Sequence, residues 1–156
     1  MSRSRRFVPV VLLAACALLP TASPRVAHAE TTGGIRMGFS STPDQFVFGG
    51  QLNLNPVGKQ VYIVPSGELG VGDHVTTLCF NGDVQYRFET RSEVRPYAGG
   101  GVSLFDVTDS GDTNFGVSAL GGIFFGRMNG KPMFAEAKLG LSDEVPDWKF
   151  IFGINF

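Results

Sequence analysis

The sequence predicts an all-β fold, an eight-stranded antiparallel up-and-down barrel, from three observations. Large apolar residues alternate with polar or small ones along most of the chain, which is the pattern of strands with two unlike faces. Turn-forming residues separate these alternating segments at short intervals. All 21 glycines lie after Ala29, and glycine disfavours helix by about 1 kcal/mol per site relative to alanine.

The first 29 residues are expected to form a cleaved secretory signal peptide, outside the fold. Residues 8–19 are largely apolar but shorter than the roughly 20 residues that a membrane-spanning helix needs. A lipoprotein signal is the alternative, because the sequence before Cys16 resembles a lipobox. The signal features are the basic residues Arg3, Arg5 and Arg6 and the A-x-A site Ala27-His28-Ala29.

The segment 30–156 is expected to be one domain, a barrel. Four of the 13 Lys and Arg residues precede it, and the other nine face 14 Asp and Glu residues, so its net charge is near −5. This balance argues against nucleic-acid binding, which needs a basic patch. Cys79 is its only cysteine, which leaves no internal disulfide.

Eight alternating segments follow in order. The first has apolar residues at Ile35, Met37 and Phe39, and the last runs from Trp148 to the aromatic Phe156. Most segments have the roughly 9–11 residues that a tilted membrane strand needs, and single-chain bacterial barrels have an even number of strands. The predicted strands cover residues 35–40, 45–54, 61–71, 77–89, 95–104, 114–125, 133–141 and 148–156.

Three local features qualify this assignment. The first strand is predicted to be short. Pro65 lies inside the third strand, where it removes a ladder hydrogen bond, so we expect a bulge or a break in pairing there. Asn129-Gly130 is a strong hairpin signal and places a tight turn between the sixth and seventh strands.

The direction of the two faces decides between two kinds of barrel. A water-soluble, lipocalin-like barrel binding a small apolar ligand lines its interior with the apolar face, whereas a membrane barrel directs that face to lipid. The apolar face has aromatic residues near both ends and smaller ones between, which favours a transmembrane β-barrel. The aromatic residues are Phe39, Phe46, Phe115 and Trp148 at one end and Tyr86, Phe88, Phe125 and Phe156 at the other.

The opposite face carries both signs of charge and is predicted to form a polar network in the lumen. A midplane Arg or Lys on the lipid side costs about 2–4 kcal/mol, so this face cannot meet lipid. The predicted network consists of Arg36, Glu68, Asp83, Arg87, Glu136, Lys138 and Lys149. A solvated outer face explains the same charges in the soluble alternative.

An eight-stranded barrel is only wide enough for side chains to fill it. We therefore expect a plugged lumen rather than a channel, with Cys79 as a small filler. The aromatic residues expected to occupy the interior are Tyr62, Tyr97, Phe105 and Phe134.

Several segments resemble the small bacterial outer-membrane β-barrel family, akin to the OmpA membrane domain, OmpX and the opacity proteins. They are Arg95-Pro-Tyr-Ala-Gly-Gly-Gly-Val102, Glu68-Leu-Gly-Val-Gly-Asp73 and the terminal phenylalanine. The resemblance implies an integral outer-membrane protein. We expect it to be a monomer with a structural or surface-interaction role and no cofactor. The resemblance also implies outer-membrane lipid, lipopolysaccharide and the barrel-assembly machinery as partners. The implied assembly signal is Trp148, Phe150, Phe152, Ile154 and Phe156.

Two loops contain residues that could take part in catalysis or metal binding. His74, beside Asp73, is the only histidine after the signal segment, and small outer-membrane barrels include lipid A-modifying enzymes. No serine adjoins His74, so an ordinary loop histidine is favoured over a catalytic base and the protein is expected not to be an enzyme. Acidic residues in two loops could bind a divalent cation, although their spacing does not match a calcium loop. They are Asp106, Asp109, Asp112, Asp143, Glu144 and Asp147.

Overall fold

The structure is a computed structural model that describes residues 31–42, 44–57, 60–72, 75–107, 113–143 and 145–156. The described strands form one closed antiparallel barrel in chain order, which confirms the predicted up-and-down topology. The strands are β1 Thr32–Ser40, β2 Gln45–Val57, β3 Val61–Gly72, β4 Thr76–Arg87, β5 Arg95–Val107, β6 Thr113–Met128, β7 Lys131–Gly140 and β8 Trp148–Asn155. Within the described ranges, no helix is long and apolar enough to cross a membrane.

The barrel closes where β1 pairs with β8. The register runs from Gly34 opposite Asn155 to Ser40 opposite Lys149. The expectation of a short first strand was wrong, because β1 has nine residues and begins at Thr32. The alternation of apolar and polar side chains is not visible at Gly33 and Gly34, because glycine has no side chain. Both residues nevertheless pair with β2, which holds them in the sheet.

Pro65 interrupts pairing on one side only. Toward β4 the ladder is continuous, with Pro65 opposite Gly82. Toward β2 the pairs skip from Ser66 to Ile63 without a change of register. The missing N–H of proline therefore faces β2, and the register shift of this ladder lies farther along, between Leu54 and Val57.

The predicted hairpin turn at Asn129-Gly130 is confirmed. Its residues lie between β6 and β7 with φ values of 54° and 81°. Positive φ at both central positions is the requirement of a type I′ turn, which matches the twist of the flanking strands. A register shift of the β6–β7 ladder lies between Phe125 and Arg127, at Gly126.

The apolar face of the strands points outward. Phe80, Phe150 and Phe152 are 56%, 50% and 53% exposed. Glu68 and Asp83, from the opposite face, are 1% and 0% exposed. The soluble, ligand-carrying alternative requires the reverse arrangement, so the structure contradicts it and confirms a barrel with a polar interior.

Both predicted groups of aromatic residues lie at the ends of this outer surface. We call the end with Thr32 and Asn155 the terminal end, and the other the loop end. At the loop end, Phe39 and Phe46 pack edge to face with ring centroids 5.4 Å apart. At the terminal end, Tyr86 and Phe88 pack in the same way at 5.1 Å.

Candidate functional site

The candidate site is a cluster of six charged side chains inside the barrel. Alternation directs each of them inward from its strand, and each is buried. Three are positive and three are negative, so the cluster is neutral. Its members, which we call the lumen cluster, are Arg36 on β1, Glu68 on β3, Asp83 on β4, Glu136 and Lys138 on β7, and Lys149 on β8.

Arg36 lies between two carboxylates. Its Nη2 donates to Glu136 Oε1 over 3.0 Å, and its Nε lies 2.9 Å from Glu68 Oε1 as an ion pair without hydrogen-bond alignment. Its Nη1 donates to Gln51 Oε1 over 3.2 Å. These contacts join β1 to β3 and β7. Neither of these two strands is a neighbour of β1 in the sheet, so the contacts cross the interior of the barrel.

Two lysines complete the charge balance. Lys138 Nζ donates to both carboxylate oxygens of Asp83 at 2.7 and 2.6 Å. Lys149 Nζ donates to Glu68 Oε2 over 2.6 Å. A buried ion pair is favourable only when its remaining polar atoms are also satisfied, and these contacts supply that satisfaction for Asp83.

Neutral donors satisfy the second oxygen of Glu136. Its Oε2 accepts hydrogen bonds from Gln85 Nε2 at 3.1 Å and from the Tyr97 hydroxyl at 2.9 Å. Toward the terminal end, the Asn155 Oδ1 atom accepts from Gln51 and Asn53 at 2.9 and 3.2 Å. The charged cluster therefore continues into a network of amide side chains.

Glycines on the inner face make room for the large side chains. A Cβ atom added at Gly101 would lie 2.0 Å from Asp83 Oδ1, and one at Gly122 would lie 2.4 Å from the Tyr97 ring. Real Cβ atoms do not approach neighbours this closely. Part of the glycine content therefore serves the packing of the lumen, which alternation alone does not reveal.

An apolar cluster shares the interior with the charges. Its rings lie close together, with Phe124 5.0 Å from Tyr97 and 6.2 Å from Phe134 between centroids. The sequence had assigned no interior role to Phe124, because Ile123, Phe124 and Phe125 are all apolar and the alternation is lost there. The cluster consists of Val47, Tyr97, Leu120, Phe124, Phe134 and Ile151.

The segment between β7 and β8 closes the loop end of the interior. Val145 is buried, and a Cβ atom added at Gly116 of β6 would lie 2.1 Å from its Cγ1. The void that Val145 lines with Lys138 and Lys149 is about 10 Å³. That volume is comparable to one water-sized probe, so side chains fill this end of the lumen.

Arg87 lies toward the terminal end and is linked to the lumen cluster through a neutral side chain. Its Nη2 donates to Gln85 Oε1 at 3.1 Å, and Gln85 donates to Glu136. The guanidinium carbon of Arg87 is 3.6 Å from the centroid of the Tyr62 ring and 4.6 Å from that of Phe124. Cys79, expected as a small filler, is buried with its Sγ 3.4 Å from Asn81 Oδ1.

The residues of the predicted assembly signal lie along β8 and just after it. Trp148, Phe150, Phe152 and Phe156 are exposed on the outer surface, while Ile154 is half-buried. Their recognition by assembly machinery stays a prediction.

Some candidate residues lie outside the described ranges. They include His74, Asp109, Asp112, Glu144 and the whole predicted signal segment with Cys16. Among the described acidic loop residues, Asp147 accepts a hydrogen bond from Thr42 Oγ1 at 3.1 Å. Within the described ranges, no three histidine, cysteine or acidic residues form a group that could hold a metal ion.

No family model matches the chain, and no curated protein matches it in sequence. Solved structures do match in fold. The N-terminal β-barrel domain of Pseudomonas aeruginosa OprF is 18% identical with a TM-score of 0.58, over 82% of this chain and 98% of that one. A transmembrane β-barrel from de novo design is 15% identical with a TM-score of 0.56, over 81% and 92%. The Yersinia pestis outer membrane protein Ail is 11% identical with a TM-score of 0.54, over 81% and 99%.

These similarities establish the architecture. At such low identity they carry the fold alone, and one of these three proteins is designed.

Proposed function

We propose that this chain, which has the fold of the small eight-stranded outer-membrane barrels, is an integral protein of the bacterial outer membrane. Its role is structural or one of surface interaction, without enzymatic activity and without a conducting pore. The observation that carries the proposal is the inverted arrangement of side chains, with apolar residues outside and charges inside.

The outer surface is too apolar for water. The largest apolar patch of a soluble monomer is typically about 300–600 Å², and larger ones mark contact with a partner or a membrane. Here exposed large apolar residues occur on all eight strands. A closed barrel also pairs its backbone groups between strands, which a hydrocarbon environment demands.

The chain ends and the rim charges support one orientation. With an even number of strands, both ends of the barrel domain lie on the same side, which we assign to the periplasm. Basic side chains gather at this terminal end: Arg91, Arg95, Arg127 and Lys131, with Glu89 and Glu93 among them. The described acidic residues Asp44, Asp106, Asp143 and Asp147 lie at the loop end, which we assign to the cell exterior.

The lumen supports a structural role. Each member of the lumen cluster has an opposite charge within 3.0 Å, so these charges compensate each other inside the barrel. Paired and hydrogen-bonded charges in a packed interior hold walls together, whereas a catalytic or conducting site keeps groups accessible to substrate or ions.

The proposed partners of the barrel are lipids and the assembly machinery of the outer membrane. The barrel contacts outer-membrane lipid and lipopolysaccharide as a monomer, after export through a signal peptide cleaved before Glu30. The barrel-assembly machinery reads the strand from Trp148 to Phe156. We expect the barrel to bind neither a cofactor nor nucleic acid.

Expression of the full chain in a Gram-negative host tests the location. We expect the processed protein in the outer-membrane fraction, with a change in gel mobility on boiling because the closed barrel resists detergent until heated. Recovery from the soluble periplasm, with no change in mobility, would overturn the proposal.

Planar bilayers test the plugged lumen separately. Purified barrel is expected to give no steady conductance, because Val145 and the lumen cluster fill the interior. Stable, voltage-independent conductance that scales with inserted protein would replace the structural role with a channel.

A further inference from the structure

A cavity of about 650 Å³ opens at the terminal end of the barrel, below the packed interior. Among the described residues, three cationic side chains line it, those of Arg87, Arg95 and Lys131, and the carboxylate of Glu89 lines it as well. We call this cavity the terminal cavity.

Arg87 forms part of its inner wall. The guanidinium Nη2 donates to Asn53 Oδ1 at 2.5 Å and to Gln85 Oε1 at 3.1 Å. Its Nε is buried and has no hydrogen-bond acceptor among the described residues. Buried donors are normally satisfied, so this N–H is a donor that an anion in the terminal cavity can use.

The cations of the terminal cavity exceed its described carboxylate, Glu89, and are not held in ion pairs. Within the described ranges, no carboxylate forms an ion pair with Arg87, Arg95 or Lys131, whereas every cation of the lumen cluster has such a partner. Arg95 and Lys131 instead lie near aromatic rings, 5.8 Å from Phe124 and 5.1 Å from Phe156. Two guanidinium groups and an ammonium group around one space suit a phosphate, whose oxygens match the planar donor fork of arginine.

A second depression lies on the apolar outer surface, with a volume of about 630 Å³. Its floor consists of the outward-facing glycines of three neighbouring strands, Gly33, Gly50 and Gly67, and Leu52 and Phe80 form its sides. Phe156 lines both this depression and the terminal cavity, so the two spaces meet at one side chain. We call the depression the outer groove.

Sterics do not require glycine at two of these floor positions. A Cβ atom added at Gly50 would have its nearest neighbour at 3.6 Å, and one at Gly67 at 3.5 Å, both ordinary contacts. Neither residue has a positive φ. Because β-branched residues favour strands and glycine weakens them, these glycines lower strand propensity while keeping the groove open.

We propose that the terminal end binds one anionic phospholipid of the adjacent leaflet. Its phosphate lies among Arg87, Arg95 and Lys131, and one acyl chain passes Phe156 and lies along the outer groove. The cations match the headgroup charge, and the apolar groove matches the chain. This inference rests on the proposed membrane location, and it adds a specific lipid site to it.

Spin-labelled lipids in reconstituted vesicles test the inference. The full barrel is placed in phosphatidylcholine vesicles, and the motionally restricted fraction of labelled phosphatidylglycerol is compared with that of labelled phosphatidylcholine. We expect the barrel to prefer the anionic lipid. In Arg95→Gln/Lys131→Gln this preference should fall by about tenfold, since each cation near the membrane surface raises the affinity for an anionic lipid several-fold. Gly50→Val/Gly67→Val is expected to weaken binding of the anionic lipid without any change in charge.

Matched controls separate this site from general attraction to the rim. Arg91→Gln/Arg127→Gln removes two cations of the same end that do not line the terminal cavity, and Gly82→Val fills an outward glycine outside the groove. Both controls are expected to retain the preference. Equal loss in the first control would overturn the site in favour of diffuse rim electrostatics.

Two further outcomes would overturn the inference. If inorganic phosphate in the vesicle buffer abolishes the preference while the groove variants leave it unchanged, the cavity binds a soluble anion. If the barrel inserts and shows a change in gel mobility on boiling but has no lipid preference, the lipid site fails while the proposed function stands. Failure to insert at all overturns the proposed function itself.

Discussion

Arg36 on β1 donates a hydrogen bond to Glu136 on β7 over 3.0 Å, across 100 residues of sequence. The two strands are not neighbours in the barrel, so the bond spans the interior rather than the sheet. Asp83 with Lys138, and Glu68 with Lys149, connect other non-adjacent strands in the same way. The barrel is therefore held by its backbone ladder around the circumference and by ion pairs across it.

Replacement of Arg36 by methionine tests the centre of the lumen cluster. The variant leaves three carboxylates facing two lysines, and Glu136 loses its only ion-pair partner among the described residues. Breaking a buried pair from one side costs about 3–5 kcal/mol. We expect a loss of that order in the free energy of unfolding, measured with urea in lipid vesicles.

Arg127→Met is the matched control for that variant. Arg127 is exposed at the terminal end, and surface substitutions usually change stability by no more than about 0.5 kcal/mol. Equal stability of the two variants would show that the lumen cluster does not hold the barrel together.

Asp83 and Lys138 are suited to a double-mutant cycle. Asp83→Val and Lys138→Met are each expected to destabilise strongly, because each leaves a charge buried without its partner. The double variant removes both charges and should lose less than the sum of the single losses, with a coupling of about 1–3 kcal/mol. Additive losses would mean that the 2.6 Å contact contributes nothing specific.

A substitution in the hairpin at Asn129-Gly130 tests the energetic effect of backbone conformation without a change in packing. Gly130 has φ 81°, and a Cβ atom added there would have no neighbouring atom within 4 Å, so Gly130→Ala changes conformational energy alone. We expect a loss of about 1–2 kcal/mol, the cost of a left-handed conformation for an L-residue. Gly82→Ala is the control, because its Cβ atom also has room, 3.7 Å from Val102 Cγ2. With ordinary strand φ, it should stabilise the fold by about 0.4–1 kcal/mol.

Two outward valines test whether the surface meets lipid. Val102 lies near the middle of β5 and Val71 near the loop end of β3, and both are about half exposed. On the lipid face an arginine costs about 2–4 kcal/mol at the midplane and about 0–1 near the interface. Val102→Arg should therefore destabilise the barrel far more than Val71→Arg, as measured by urea unfolding in vesicles. Equal, small effects would indicate a surface in contact with water.

Alternation predicted most of the architecture. Side chains of a strand point alternately to two faces, so the pattern gave the eight strands and the face carrying charge. It did so best where large apolar residues occupy nearly every position of one face, as from Leu78 to Phe88, where Gly82 is the one small residue. It did less well at Gly33 and Gly34, where glycines carry no pattern and β1 was expected to begin later.

The contacts of the interior could not be predicted in the same way. Which inward residues meet depends on the stagger of all strands around the barrel, a global property that no short segment encodes. Arg36 could thus be placed inside, but not beside Glu136 on a distant strand. Phe124 was missed because three apolar residues in a row erase the alternation, and Val145 because a loop folds back into the lumen.

The terminal cavity shows a further limit. Arg87 was expected in the lumen polar network, and it is linked to that network because its Nη2 donates to Gln85, which in turn donates to Glu136. Its stacking on Tyr62 at the opening, away from the ion pairs, was not expected. The alternation of side chains along β4 correctly places Arg87 on the inner face, but its position along the barrel axis determines which residues surround it. Alternation along the strand therefore predicts the face of a side chain, whereas its depth in the barrel depends on the register of the strands.

Quenching of tryptophan fluorescence by brominated lipid is the sharpest test of a lipid-facing outer surface, because Trp148 is the only tryptophan of the chain. Trp148 and a variant with the tryptophan moved to the middle of the outer surface, Trp148→Phe/Val102→Trp, are compared in vesicles brominated at shallow or deep acyl positions. We expect quenching of both, with the moved tryptophan most sensitive to deep bromines and Trp148 to shallow ones. Quenching by aqueous iodide at both positions, with no effect of brominated lipid, would contradict a membrane-embedded barrel.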